Sequence, residues 1–342
     1  MSSVSDPSLV EAGRAAVLEE LRTAVSPIVV THEHPDGDAL GSLIAMQGIL
    51  QQIGKHCEMY IDDRDLPLPQ EYSFLPLANL ICEPPADFRE RTIVFLDCGN
   101  LSRNPAQEFG APGVRILNID HHHDNTRFGT VNLVDDKASC TSEIVWELMH
   151  ALGVEPTLTV AEALYVGLIT DTGRFMYENT GRRAHLMAAD LIDAGIDVHE
   201  LYRRVYEDVP YGKLALLARG LSNIERYDDG RLTMSALTVS DFNDSHAEES
   251  YSEGLVDHLR AVEGTEVAAL VRDRIGESAA GRERRVSLRS GSGRIDVSAI
   301  ARAQGGGGHR QAAGFSTALS HDELVAFLRE QLAAQERESA TA

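Results

Sequence analysis

The residues best equipped for chemistry are acids and histidines gathered in four short stretches. These are His32-Glu33-His34-Pro35-Asp36-Gly37-Asp38, then Asp97, then Asp120-His121-His122-His123-Asp124, and finally Asp171. Carboxylates brought to one place raise one another's pKa, and a divalent cation removes that cost. Two metal ions about 3.5–4 Å apart need a shared carboxylate plus separate ligands for each ion, and such pairs clamp an in-line phosphoryl displacement. Asp36 and Asp38 flank Gly37 on what reads as a sharp loop, so each can reach a different ion. Imidazole and carboxylate without thiolate suit manganese, magnesium or cobalt better than structural zinc. Taken singly, Asp38 reads as a helix N-cap, Asp97 as a turn residue and the histidine run as a solvated loop. Their joint placement argues for a site.

That placement follows from the elements that must carry them. The run Pro27-Ile28-Val29-Val30 predicts a strand entering the His32 loop, and residues 39–53 predict a helix capped by Asp38 and stopped at Gly54. Residues 92–96 and 114–119 predict buried strands that end at Asp97 and Asp120, and helices are expected over 139–152 and 158–169. Such alternation predicts a mostly parallel sheet with helices on both faces. In an open parallel sheet, ligands bind beyond the carboxyl ends of the strands, so the clusters would converge at one edge. Residues 182–220 read as helical. After Asp228-Asp229-Gly230, strand-like runs at 232–239, 266–271 and 285–288 mix with helices, ahead of a glycine run at Gly305 to Gly308 and a helix from His321.

Composition bounds the setting. The chain has 342 residues, 43% hydrophobic and 25% charged, which is ordinary globular composition and fits two domains of about 150 residues each. Its formal charge is −22, so it lacks the basic face that long duplex nucleic acid or an anionic membrane requires. Locally the balance reverses: residues 270–310 hold nine arginines against four acids. No apolar run approaches the roughly 18 residues of a spanning helix, and the N-terminus reads as an amphipathic helix rather than a secretion signal. Cys57, Cys82, Cys98 and Cys140 form no CxxC pair, so neither a disulfide framework nor a structural zinc is expected. A cytoplasmic protein is expected.

The glycine run can bring backbone N–H groups close to a phosphate because no Cβ intervenes, with His309 beside it as a donor. The shorter Gly291-Ser292-Gly293 reads as a hairpin turn.

The segments HEHPDGDALGS, FLDCGN, NIDHHHDN and GLITDTGRF resemble the four motifs of the DHH phosphoesterase superfamily, and RSGSGRIDVSAIARAQGGGGHRQAAGF resembles its DHHA1 substrate domain. Length and layout are most similar to the oligoribonuclease and pAp (3′-phosphoadenosine 5′-phosphate) phosphatase group, over roughly residues 20–335. The resemblance implies an α/β fold. A DHH catalytic domain at 1–185 would be joined by a helical linker at 186–229 to a DHHA1 domain at 230–335, with a tail at 336–342. It implies that His32, Asp36 and Asp97 hold one metal, and that Asp38, Asp97, His121 and Asp171 hold a second. His122 would touch the scissile phosphate and Asp120 would support the cluster. Arg289, Ser290, Gly306, Gly307, Gly308 and His309 would grip substrate. Group members carry an aromatic–Arg pair after the fourth motif, where this chain has Gly173-Arg174-Phe175-Met176-Tyr177. Arg174 replaces that arginine, or the contact is lost. His123 is expected at the loop rim rather than on a metal.

The expected activity is hydrolysis of two- to five-residue RNA, linear dinucleotides such as pGpG or pApA, or pAp, by water activated between two divalent ions, manganese first. Substrate would lie in a cleft between the two lobes, and a homodimer is a family-level expectation. Competing readings are a cyclic di-AMP phosphodiesterase, an inorganic pyrophosphatase or polyphosphatase, and a non-catalytic nucleotide sensor. The SRKKQ-like cluster of the pyrophosphatases is missing, and the intact acids and histidines weigh against the sensor.

Overall fold

Short β-branched runs spaced by helical stretches give two α/β units in the computed structural model, which describes residues 6–273, 284–291, 294–308 and 310–341. The division falls between Asp208 and Val209. In chain order the first unit comprises α1 (Pro7–Thr23), β1 (Ile28–Val30), α2 (Gly37–Gln52), β2 (Glu58–Tyr60), β3 (Leu80–Ile81), β4 (Thr92–Leu96), β5 (Arg115–Asp120) and β6 (Val131–Val134). Four helices follow: α3 (Thr141–Ala151), α4 (Leu158–Asp171), α5 (Arg182–Asp193) and α6 (Val198–Tyr206).

The six strands are all parallel, in the order β3-β2-β1-β4-β5-β6. The chain builds outward from β1 to β3, then returns to lay β4 on the other side of β1. The order therefore reverses between β1 and β4, which is where open α/β sheets leave a crevice beyond their carboxyl ends. There β1 leads to His32, β4 to Asp97, and β5 into the loop of residues 121–130.

One face of this sheet carries the helices. Val29, Met59, Val94, Leu117 and Leu133 are buried with Leu43 and Met46 of α2, Leu148 of α3 and Leu164 of α4. The other face corrects the expectation of helices on both sides. Ile28, Val30, Ile93 and Phe95 are covered there by Phe109, Phe88 and Phe128 from loops and short 3-10 turns. The reason is local: Pro105, Gly110 and Pro112 break the β4–β5 connection into turns at Leu101–Arg103 and Gln107–Gly110, too short for an α-helix. On the helical face α2 and α4 approach closely, since a Cβ on Gly41 would sit 2.4 Å from the Ala163 carbonyl oxygen.

The second unit comprises α7 (Tyr211–Ser222), β7 (Glu225–Tyr227), β8 (Leu232–Leu237), α8 (Val239–Ser245), α9 (Leu255–Arg260), β9 (Val267–Asp273) and β10 (Arg284–Ser290). It ends with α10 (Val297–Ala303), β11 (Gly307–Gly308), β12 (Ala312–Thr317) and α11 (His321–Thr341). Its sheet runs β11-β12-β10-β9-β8-β7, antiparallel except for the β8–β9 pair. Helices cover both faces, α10 and α11 one, α7 to α9 the other.

Residues 186–229, read from sequence as a connector, are shared between the units. Met187, Leu191, Leu201 and Val205 of α5 and α6 join the first core, whereas Leu216 of α7 joins a core of the second. Helix α11 runs to Thr341, within the stretch expected as a tail. The hairpin expected at Gly291 is corrected, because β10 leads on to α10 rather than to a partner strand; Ser292 and Gly293 lie outside the described residues. Among the described residues no helix is long and apolar enough to cross a membrane.

The close approach at Gly41 makes a direct test. Gly41→Val should lower the urea midpoint by an amount equivalent to about 1–3 kcal/mol, the usual cost of overpacking, and an unchanged midpoint would contradict the α2–α4 packing described.

Candidate metal centre

The loop after β1 places its two aspartates differently from the sequence reading. Asp36, not Asp38, caps α2, its Oδ1 accepting from the Asp38 and Ala39 amides at 3.1 Å each. Asp38 lies in the first turn and serves another helix. Its Oδ2 accepts from the Thr141 amide at 2.6 Å and its Oδ1 from the Ser142 amide at 2.9 Å. The first amides of a helix lack intrahelical partners, and Cys140, which precedes α3 at the capping position, offers no side-chain cap. Asp38 supplies it from a distant element. His34 turns away, its Nδ1 2.9 Å from Asp65 Oδ1.

Asp97 follows β4 with φ +56°, a left-handed conformation that Asp tolerates better than most residues, and its side chain is buried. Its Oδ1 accepts from the Thr141 hydroxyl at 3.0 Å. His32 Nε2 lies 3.5 Å from Oδ2, while His121 Nε2 and His122 Nδ1 lie 3.5 and 3.6 Å from Oδ1. Burial works against its ionisation, yet the hydrogen bond from His32 and the charges of His121 and His122 hold its pKa well below the usual carboxylate range.

Asp120, the last residue of β5, is fully buried. It accepts from the His121 amide at 2.9 Å and bonds His122 Nδ1 at 2.7 Å, and the Asn125 amide group donates to its Oδ2. The Asp120 contact engages His122 through Nδ1 and so assigns outward chemistry to Nε2. Burial opposes the His122 charge, but the bond to Asp120 and the charges of Asp120 and Asp97 lift its pKa to about 10. His123 is exposed, as expected for a rim position.

Asp171 ends α4, with its Oδ2 3.7 Å from His121 Nε2. Burial, joined by the charges of Asp97 and Asp36 and opposed by His121 and His122, raises its pKa to about 6. Burial likewise pushes Asp38 well above its ordinary value, with Asp97 and Asp171 adding to it. Ligand atoms of three groups each lie within 4.8 Å of one another: His32, Asp36 and Asp97; Asp38, His121 and Asp171; Asp97, His121 and His122. Asp97 and His121 belong to two groups each, so the cluster is continuous. Its donors are imidazole nitrogens and carboxylate oxygens, a set that divalent cations bind. All six residues expected from sequence to bind metal are in this cluster.

Three partners were missed. Thr141 contacts both Asp38 and Asp97. Asn125 donates to Asp120 and, at 3.1 Å, to Asn118 Oδ1. Arg103, six residues after Asp97, is near enough for its charge to act on His32 and His122. A polar residue beside a motif carries no signal in one sequence, although Arg103 could have been found as a cation close behind an acid.

In the second unit the residues expected to grip substrate are held by other contacts. Arg289 Nε lies 3.4 Å from Asp257 Oδ1, and Ser290 is buried in β10. The amides of Gly305 and Gly306 donate to Arg302 and Ala301 carbonyls at 3.0 and 2.9 Å, with Gly305 at φ +73°. That is a Schellman cap on α10. Gly308 pairs with Ala313 of β12, a Cβ on it would meet that strand at 2.5 Å, and only open space surrounds a Cβ built on Gly307. His309 lies outside the described residues.

A parallel sheet with acids and imidazoles at its point of reversal, together with a second mixed-sheet unit, defines a two-unit α/β protein with a carboxylate–histidine metal centre. The chain belongs to the DHH family: the DHH N-terminal domain matches residues 27–168 and the DHHA1 domain residues 234–334. A bifunctional oligoribonuclease and PAP phosphatase of Thermus thermophilus is 35% identical over 304 residues, covering 87% of this chain and 86% of that protein. The Bacillus subtilis protein of the same description is 26% identical over 295 residues, covering 84% and 88%. Among solved structures, an exopolyphosphatase-related protein from Bacteroides fragilis superposes with a TM-score of 0.82 at 25% identity, covering 95% of this chain and 96% of that one.

The raised Asp171 pKa has a signed consequence. Its charged form is disfavoured in the fold, so the penalty is absent below its ordinary value of 3.8 and complete above about 6. Metal-free protein should lose stability as pH rises through that window, while manganese binding strengthens and releases protons. Calorimetric titration near about pH 5 and about pH 7 should show tighter binding at the higher pH, with the difference reduced in Asp171→Asn. Equal affinity at both would contradict it.

Proposed function

We propose that the chain is a metal-dependent phosphoester hydrolase acting on short oligoribonucleotides and 3′-phosphoadenosine 5′-phosphate. The observation that carries this reading is the buried Asp97 carboxylate faced by His32, His121 and His122 at one sheet edge, with Asp36, Asp38 and Asp171 adjoining. In this reading His32, Asp36 and Asp97 hold one divalent ion, and Asp38, Asp97, His121 and Asp171 hold the second. Manganese is the first choice and magnesium or cobalt the alternatives. Such ions lower the pKa of bound water and neutralise charge on the phosphoryl group.

The protein's own groups divide the remaining work. Asp120 fixes the orientation of His122 through Nδ1, so that Nε2 donates to a phosphoryl oxygen as charge develops there. Arg103 adds a second positive charge beside the same imidazole. No side-chain nucleophile is required. The first unit is the catalytic domain, and the second binds substrate through Arg289, Ser290 and the Gly306–Gly308 segment with His309. The names of the Thermus and Bacillus relatives support both substrate classes.

Asp97→Asn should retain its circular dichroism spectrum and lose at least about 100-fold in turnover of pAp with manganese, since even partners of metal ligands are worth 10–100-fold. EDTA should abolish turnover and added manganese restore it. In a panel of pAp, pGpG, a long single-stranded RNA, cyclic di-AMP and pyrophosphate, the first two should be preferred. Preference for pyrophosphate or the long RNA would overturn the reading, and Arg103→Ala should raise KM more than it lowers kcat.

A further inference from the structure

Directly after Asp171 the backbone makes a turn that ordinary residues avoid. Gly173, Arg174 and Phe175 have φ of +53°, +62° and +65°, a left-handed run in which only the first is glycine. Each non-glycine residue there costs roughly 1 kcal/mol or more, so the surroundings must impose the conformation. They do so from several sides. The Arg174 amide donates to the Ile169 carbonyl at 2.8 Å, and the Met176 and Tyr177 amides both donate to the Thr172 carbonyl at 3.0 Å. The Phe175 ring stacks on His185 with centroids 5.2 Å apart. Arg174 turns back onto α6, its guanidinium 5.0 Å from the Tyr206 ring centroid and close enough to Tyr202 for the two to interact.

The result is an apolar pair turned outward beside the metal centre. Met176 is 81% exposed and Tyr177 62% exposed, side by side on this turn. The Tyr177 ring lies across Gly173, where an added Cβ would come within 2.4 Å of it. Gly173 is two residues from Asp171, so their Cα atoms are at most about 7.6 Å apart. A flat aromatic face is therefore held next to a metal-binding carboxylate by a backbone turn with a conformational cost. Two exposed side chains are far too little surface for a protein partner. They match one planar ring.

We propose that Tyr177, flanked by Met176, is a stacking platform for a nucleobase attached to the phosphate at the metal centre. The inference rests on the reading of that centre as one acting on nucleotides, and adds the element that reads the base. Base–aromatic stacking tolerates any sequence because every base has a π-face. It explains why the turn is built at a cost, and why Arg174 packs on α6 while Met176 and Tyr177 face solvent.

The test compares full-length, manganese-loaded wild type, Tyr177→Ala and Tyr177→Phe on pAp and on ribose 3′,5′-bisphosphate, which lacks the base. Tyr177→Ala should raise KM for pAp by about 5- to 150-fold, the usual worth of one stacked base, and leave the base-free compound within about twofold. Tyr177→Phe, which keeps the ring, should match wild type. An equal loss on both substrates would mean that the ring merely props the turn, and would overturn the proposal, as would an unchanged Tyr177→Ala. Binding of AMP by calorimetry separates this from the catalytic reading. If wild type cleaves neither substrate but binds AMP in a Tyr177-dependent way, the hydrolase reading fails and the platform stands. Binding that ignores Tyr177, or no binding, overturns the platform.

Discussion

The constraint on which the first unit depends is the gathering of several carboxylates where water cannot solvate them all. Burying an ionised carboxylate costs several kcal/mol unless hydrogen bonds and opposite charge offset it. The fold meets that cost unequally. Asp97 is faced by three imidazoles and the Thr141 hydroxyl, and its charge is favoured. Asp38 receives two amides from the start of α3, yet burial and its acidic neighbours still disfavour its charge. Asp171 shares that imbalance. Among protein groups alone the cluster is short of positive charge on the Asp38–Asp171 side, which is what a divalent cation supplies.

This imbalance explains features of the framework that packing alone does not. A buried aspartate capping a helix from another element ties α2 to α3, and the glycines between α2 and α4 let that arrangement close. Gly167 illustrates this: a Cβ there would lie 2.8 Å from Asp38 Oδ1. The parallel sheet contributes direction. With β1, β4 and β5 side by side and pointing the same way, His32, Asp97 and His121 arrive at one edge despite wide separation in sequence.

Much of this was legible beforehand. The runs at β1, β4 and β5 are β-branched and apolar because both faces of a parallel strand are buried; β1 and β4 lead into His32 and Asp97, and β5 ends on Asp120. The acids and histidines of the centre could therefore be named from type and spacing. Strands β2, β3 and β6 were not legible, since two to four residues carry no period to detect. Nor was the exchange of roles between Asp36 and Asp38. Either can cap α2 by its own position, and what decides the matter is the unsatisfied start of α3, about a hundred residues away in the chain. The glycine run was ambiguous for a related reason. Glycine serves a phosphate cradle and a helix terminus by the same lack of Cβ, and here two of the four terminate α10.

The charge balance changes meaning in the same way. Residues 270–310 are rich in arginine, yet among the described ones most are committed to partners. Arg272 donates to Ser252 and Ser287 hydroxyls, Arg284 faces Asp273, Arg289 faces Asp257, Arg294 faces Glu266 and Arg302 faces Asp296. Such arginines shape a surface more than they electrify it. A long polyanion gains affinity when unpaired cations along its length displace its counterions, and a chain of net charge −22 offers few such cations among the described arginines of this stretch. On the proposed function, affinity would come from short-range contacts that a small substrate can satisfy completely: cations held by the acidic cluster, directional donors such as His122, and a flat face for one base. Each would act over one or two nucleotides, so lengthening the substrate would add charge repulsion without adding contacts. On the proposed function, electrostatics alone would favour short phosphorylated substrates over long ones, before any steric limit is invoked.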